Sequence, residues 1–331
     1  MNLKSLLPQK TKKEILKTLK RKKFENIDAI KTIEKFFIKK RNYVFKMPPP
    51  STPVILLLSG GLDSTISWAV LTKIYGLIVY PLVRISPESG NELRKTKKTL
   101  KFFSKFFKKE FPNLFRKPFF FKDISLIPEI HKKYLTNLRT DKNKLFNFIT
   151  SNNEFLTEIP DFMSRFISPA LQYKNLIYIR EKKKINTVFL GLVASDGDAV
   201  KAQTFTSLRS MMFNACNTTQ DYKLQISSIA IEKELGHFLA GKDLVKIGSK
   251  LEFPIEKTWS CQKNGSRYHC GKCPNCGNRK YKFSNAGVDD KTIYLSNYKS
   301  SLIFFYYKKY FQPYFPLLHK ALKYAYNKII H

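Results

Sequence analysis

Two groups of residues in this 331-residue chain have types and spacing that could do chemistry. The first is Ser59-Gly60-Gly61-Leu62-Asp63-Ser64-Thr65, placed directly after the apolar run Val54 to Leu58. Paired glycines let a backbone come close to a ligand, and a helix beginning there presents unpaired amides and a partial positive charge to a phosphate. Ser59, Ser64 and Thr65 add hydroxyl donors, and Asp63 can cap the helix or help hold a magnesium ion on the phosphates. The second group is Cys261, Cys270, Cys273 and Cys276, spaced C-x8-C-x2-C-x2-C with glycine and proline turns between them. Four soft thiolates brought to one point suit a structural zinc ion, whose binding would fold a segment short of apolar residues. An iron–sulfur cluster is the competitor, and zinc is favoured because the fourth cysteine precedes the close-set trio by eight residues.

What the first group lacks narrows its chemistry. No Gly-Lys-Ser/Thr follows the glycines, so the loop that cradles nucleotides for γ-phosphate transfer is excluded, and the dinucleotide fingerprint Gly-x-Gly-x-x-Gly is missing too.

The elements that must carry these residues follow from periodicity. Val54 to Leu58, entered from Pro53, reads as a buried parallel strand, and Ile66, Ala69, Val70 and Ile74 then take up helical spacing. Gly76 to Ile85 reads as a second buried strand, which makes the start of a βαβ unit. Further strands are expected at Pro118 to Phe121, Thr187 to Leu192 and Lys223 to Ala230, with helices at Pro169 to Lys183 and Lys242 to Gly248. The Lys/Phe-rich and polar stretch 94–162 reads largely as an insertion. Before the first strand, Ile15, Leu16, Leu19, Ile27, Ile30, Ile33 and Phe37 recur at near-helical intervals among lysines. Glu25, Asp28 and Glu34 share the polar face, which argues for a packed appendage rather than a membrane anchor. Lys46 to Pro53 is a proline-stiffened linker. The aromatic and lysine-rich tail from Tyr298 to His331 reads as helices covering a core. The expected division is a basic helical extension at 1–47, an α/β nucleotide domain at 53–250, a metal module at 251–294 and the tail at 295–331.

Composition bounds the function class. Net charge is +35, from 60 basic and 25 acidic residues, yet only 11 of the 60 are arginines. Asn, Ile, Phe and Tyr are abundant alongside lysine, and all share A/T-rich codons, so a lysine-loaded solvated surface explains the charge ahead of specific RNA recognition. Weak attraction to RNA is still expected. Apolar content of 43% excludes disorder over most of the chain, and no apolar run approaches the ~20 residues of a membrane span. The first residues lack a long apolar core and a small-residue cleavage site, so the expected location is cytoplasmic.

The Ser-Gly-Gly-x-Asp-Ser string at residues 59–64 resembles the signature of the PP-loop ATP pyrophosphatases, which split ATP between the α- and β-phosphates and place AMP on a carboxyl or amide oxygen. A second block resembles the carboxy-terminal module of the 7-cyano-7-deazaguanine synthase family. It comprises Thr258-Trp259-Ser260-Cys261, Cys270-Gly271-Lys272-Cys273, Cys276, Arg279, Phe283, Ala286-Gly287 and the trio Asp290, Thr292, Tyr294. The resemblance implies a Rossmann-like α/β parallel sheet of the PP-loop, adenine nucleotide α-hydrolase-like type, with a four-cysteine zinc module and, in this chain, extra helices at the amino end. It implies ATP, Mg2+ and Zn2+ as cofactors, with 7-carboxy-7-deazaguanine and ammonia as substrates and a homodimer as the assembly. By the same resemblance the nucleotide is held by Leu58, Ser59, Gly60, Gly61, Leu62, Asp63, Ser64, Thr65, Ile66, Ser67 and Trp68, and the chemistry falls to Asp63, Ser64, Arg165 and Asp196.

The middle of the chain departs from the family. Tyr-Gly-Gln-Arg-His after the second strand is replaced by Arg84-Ile85-Ser86-Pro87-Glu88, and Gly-Arg-Asn before the middle helix survives only as Arg165 in Ser164-Arg165-Phe166. The arginine cluster expected beyond the fourth strand is absent from the segment Ser195-Asp196-Gly197-Asp198. These departures leave two alternatives open: a paralogue that adenylates another carboxyl group, or a tRNA-modifying relative. A thiolase of the latter class would want a catalytic cysteine pair near the nucleotide, and Cys216 stands single.

Overall fold

The computed structural model describes residues 3–85, 90–122, 167–196, 203–261 and 268–295. Arg165, residues 123–162 of the expected insertion, and the tail from residue 296 onward lie outside the described residues.

Two helices open the chain. α1 (Lys12–Leu19) starts at Thr11, whose side chain accepts from the Glu14 amide while Glu14 accepts in return from the Thr11 amide. α2 (Ile27–Arg41) is capped by Asn26, which accepts from the Ala29 amide, and ends at Asn42 in the left-handed region (φ 65°). The sheet follows: β1 (Pro53–Leu57), α3 (Leu62–Ala69) with a π turn over Val70–Ile74, β2 (Ile78–Ile85), α4 (Gly90–Glu110), β3 (Phe119–Lys122), α5 (Ser168–Glu181), β4 (Thr187–Phe189), α6 (Phe205–Thr219), β5 (Gln225–Ser227), α7 (Gly241–Lys250) and α8 (Pro274–Ala286).

The five strands pair in parallel in the order β3-β2-β1-β4-β5. The chain therefore builds outward from β1 through β2 to β3, then returns to the other side of β1 for β4 and β5. The reversal puts a crevice beyond the carboxyl ends of β1 and β4, where open parallel sheets bind ligands. Burial on both faces explains the unbroken apolar run of β1, in which Val54, Ile55 and Leu56 are fully buried. Residues 94–122, within the range expected as an insertion, complete α4 and form β3, so they supply a crossover and an edge strand of the sheet. Leu100, Phe103 and Phe107 of α4 line its inner face, and Phe107 stacks on Trp68 of α3 with ring centroids 4.1 Å apart.

β4 and β5 are shorter than their apolar runs predict. Leu190 still donates to the Ser227 carbonyl (2.8 Å), but beyond it the chain turns toward the crevice. The amino-terminal helices belong to the same hydrophobic cluster as the sheet, through Ile15, Leu19, Ile30 and Phe37. Glu25 accepts from the Phe205 and Thr206 amides (both 2.8 Å), where negative charge is favoured at the start of α6. In α6, the fully buried Arg209 is clamped by Glu232 (2.6 and 3.0 Å) and by Glu34 of α2 (3.2 Å). No helix among the described residues is long and apolar enough to cross a membrane.

Candidate active site

β1 delivers its chain into the crevice at Leu58, whose amide still donates to the Leu82 carbonyl of β2 (2.9 Å). The backbone then breaks from the sheet at Gly60, which sits in the left-handed region (φ 77°) that a side chain would strain. Gly61 is the residue before α3, and no side chain caps that helix start. Its first amides, at Leu62, Asp63 and Ser64, have no carbonyl one turn back to bond. The turn braces itself instead: the Ser59 and Ser64 hydroxyls lie 2.9 Å apart, Ser59 Oγ accepts from the Gly61 amide (3.2 Å), and the Thr65 hydroxyl donates to the Gly61 carbonyl (2.7 Å).

A cavity of about 280 Å³ opens over this turn. Ser59, Gly61, Leu62, Asp63 and Ser64 form its floor, Gly191 after β4 forms one side, and Trp259, Ser260, Asn275, Asn278, Arg279 and Lys282 close it from the cysteine module. Of the other residues expected to hold nucleotide, Leu58, Gly60, Thr65, Ile66, Ser67 and Trp68 are buried in the packing of the turn rather than on the cavity wall. Gly191 packs tightly against the turn, since a Cβ there would stand 2.7 Å from Ser64 Cα. Asp196 lies beyond β4 but is not among the residues lining this cavity, and its carboxylate accepts from the Val193 amide (2.9 Å), closing the turn it belongs to.

The cysteine module is tied to the turn at two points. The Trp259 amide donates to the Gly60 carbonyl (3.1 Å), and Lys282 Nζ of α8 reaches Asp63 Oδ2 (2.6 Å). The other oxygen, Asp63 Oδ1, is buried with no hydrogen-bond partner. Behind this contact, Arg279 holds the module together. Its guanidinium donates to Thr292 Oγ1 (3.0 Å), Thr258 Oγ1 (2.7 Å), Ser260 Oγ (3.3 Å) and the Ile255 carbonyl (3.0 Å), and it faces Asp290 at 3.7 Å. The matched Thr258, Ser260, Arg279, Asp290 and Thr292 are thus one interlocked hydrogen-bonded unit.

Cys261, Cys270, Cys273 and Cys276 bring their sulfurs within 4.8 Å of one another. A tetrahedral ion with metal–sulfur bonds of ~2.3 Å places sulfurs ~3.8 Å apart. The Cys270 and Cys276 sulfurs, at 3.9 Å, fit one such ion. A cubane cluster, in which each thiolate binds a different iron, needs a wider cage. Cys273 is the residue before α8 and Cys276 lies in its first turn, where burial pushes the Cys276 thiol up. Burial pushes the Cys270 thiol up, but amides of Lys272 and Cys273 aimed at its sulfur (3.4 and 3.3 Å) more than offset this and bring it down to about 7. Close by, His269 accepts through Nε2 from the Ser260 amide (3.1 Å). Burial, with Arg279 nearby, holds His269 down to about 4, so it is neutral in that role.

Sequence reasoning missed Lys282, Gly191 and the Trp259 backbone tie. Lys282 is one lysine among 49, and only the fold brings α8 over the turn.

Residues 53–287 match the model of a family described as queuosine biosynthesis protein QueC. A 7-cyano-7-deazaguanine synthase of Campylobacter jejuni is 28% identical over 249 residues, covering 74% of this chain and all of that protein. One from Thermoplasma volcanium is 31% identical over 249 residues, covering 72% of this chain and 90% of the relative. Among solved structures, the U34-tRNA thiolase NcsA from Methanococcus maripaludis with its [4Fe-4S] cluster aligns at a TM-score of 0.34 and 12% identity, over 79% of this chain and 76% of that one.

Proposed function

This chain belongs to the family of queuosine biosynthesis protein QueC, and on that premise we propose that it converts 7-carboxy-7-deazaguanine to 7-cyano-7-deazaguanine at the expense of ATP and ammonia. The observation that carries the reading is the glycine turn at the carboxyl end of β1, walled by the module whose motif names the family.

In the first half-reaction a carboxylate oxygen of the substrate bonds to the α-phosphorus of ATP, and pyrophosphate leaves with the electron pair of the broken bridge. Ammonia then adds to the acyl carbon, loses a proton, and AMP departs to leave the amide. A second ATP activates the amide oxygen in the same way, and loss of AMP with the remaining amide protons forms the nitrile. The chain's part is to hold the phosphates against the amides of Leu62, Asp63 and Ser64 and the hydroxyls of Ser59 and Ser64, which meet negative charge as it develops on the leaving group. Asp63 would also hold Mg2+, which screens the polyphosphate. The four cysteines would hold Zn2+ in a structural role, since no open position is left among four protein ligands. Arg165 and Asp196 are proposed to contact the substrate's carboxylate and its guanine-like edge, respectively.

The test is incubation of purified protein with ATP, ammonia and 7-carboxy-7-deazaguanine, followed by mass analysis. The reading expects nitrile and two AMP per nitrile. Nucleotide binding without either would move the assignment to another carboxyl substrate.

A further inference from the structure

The cavity over the glycine turn has two cationic side chains on its wall, Arg279 and Lys282. Arg279 is committed to the module: four of its five donors go to Thr258, Ser260, Thr292 and the Ile255 carbonyl. Lys282 is different. Its ammonium is a three-donor group, its side chain is only 9% exposed, and among the described residues its hydrogen-bond acceptor is Asp63. Asp63 balances the ammonium's charge and takes one of its donors, and Lys282 stands on the cavity wall with two more.

The path Lys282 takes is built for it. Its methylenes pass over the first residue of α7, and a Cβ on Gly241 would stand 2.3 Å from Lys282 Cε and 2.6 Å from Cδ. Only a residue without a side chain leaves that slot open. At the far end Asp63 is held in the first turn of α3, one carboxylate oxygen on Lys282 and the other buried without a partner.

Resting on the adenylation reading above, we propose that Lys282 is a phosphate-binding residue, a cation supplied by the cysteine module that meets the polyphosphate at the glycine turn. Without nucleotide its charge is parked on Asp63. When the phosphates enter, the ammonium's remaining donors face them. As the α-phosphorus bonds to the carboxylate oxygen and its bond to the bridging oxygen breaks, Lys282 meets the charge passing to pyrophosphate. Because Cys273 immediately precedes α8 and Cys276 lies in its first turn, metal binding by the cysteines sets where this cation stands.

The probe is magnesium pyrophosphate, titrated calorimetrically against the full chain and two variants, with AMP as the ligand lacking the leaving group. Lys282→Gln keeps a donor for Asp63 without the charge, and Gly241→Ala blocks the slot without altering any charged residue. Both are expected to weaken pyrophosphate binding by roughly tenfold or more while leaving AMP binding and metal content unchanged, and Lys282→Arg is expected to restore part of the loss. Should Lys282→Gln fail to fold, Asp63→Asn/Lys282→Gln compared with Asp63→Asn alone reads the same difference. Pyrophosphate affinity equal to wild type in Lys282→Gln overturns the proposal, as does equal loss of pyrophosphate and AMP, which marks a structural role only. If wild-type protein binds pyrophosphate but makes no nitrile, the substrate reading fails while the titration still decides the role of Lys282.

Discussion

Gly191 and Ser64 are in backbone contact across the crevice: a Cβ on residue 191 would stand 2.7 Å from Ser64 Cα and 3.0 Å from Ser64 N. The chain leaving β4 therefore presses on the first turn of α3, and the phosphate-facing amides are held from the side as well as from below. Gly191→Ala must push the two apart. It is expected to cost ~1–3 kcal/mol of stability and to weaken MgATP binding, read by thermal denaturation and calorimetry. Gly277→Ala is the control, since a Cβ there meets nothing within 4 Å and alanine is the better helix former. Its midpoint should hold or rise.

Metal removal should reach the nucleotide. The Trp259 amide on Gly60 and Lys282 on Asp63 both come from the cysteine module. Cys276→Ser is expected to lose the bound metal, lower the melting temperature and weaken pyrophosphate binding together. A stable variant with wild-type nucleotide affinity would show that the module and the turn are independent. Iron in the purified wild-type protein would replace zinc as the assignment.

The amino-terminal helices should prove indispensable to folding. Arg209 and Glu232 are both fully buried, and Glu34 of α2 shares the guanidinium. Arg209→Met leaves the fully buried Glu232 without its cation, while Glu34 keeps Lys233 (2.9 Å), and uncompensated burial of a carboxylate of that kind costs ~3–5 kcal/mol. Urea unfolding should show a loss of that size. A chain beginning at residue 47, which lacks Glu34 and the buried Ile30 and Phe37, is expected to be insoluble; a soluble, nucleotide-binding product would contradict the packing described.

Stability should fall with mild acid through His237. Burial holds its imidazole below the usual histidine range, against the opposing pull of the Ile229 carbonyl and Glu232. The folded state therefore resists a proton that the unfolded chain accepts at about 6.5, so stability present above that pH declines as pH falls below it. The urea midpoint should drop between pH 7.5 and 5.5, and less steeply in His237→Asn, whose amide can still donate to the carbonyl that Nδ1 meets at 2.9 Å. Identical slopes would remove His237 from the account.

The parts legible in the sequence are those whose signal is local. A buried strand ending in two glycines, and four cysteines within sixteen residues, declare themselves because backbone conformation and metal ligation both depend on near neighbours. β3 was expected as a strand at Pro118 to Phe121, but the crossover role of α4 was hidden, because the doublets Phe102-Phe103 and Phe106-Phe107 among lysines blur which face is buried. The contacts that close the site span the chain: Asp63 meets Lys282 from 219 residues away, and Glu25 caps α6 from 180. Such pairs depend on the strand order, which periodicity alone does not fix.

In the proposed reaction the turn at Gly60 and Gly61 directs an adenylyl group onto a carboxylate. Carboxylate-dependent pyrophosphate release by the purified protein supplied with ATP, ammonia and 7-carboxy-7-deazaguanine, compared with Asp63→Ala, measures this. The account expects release that requires the carboxylate and disappears in the variant, with nitrile as the final product. Pyrophosphate release that ignores the carboxylate, or that persists undiminished without the Asp63 side chain, would contradict it.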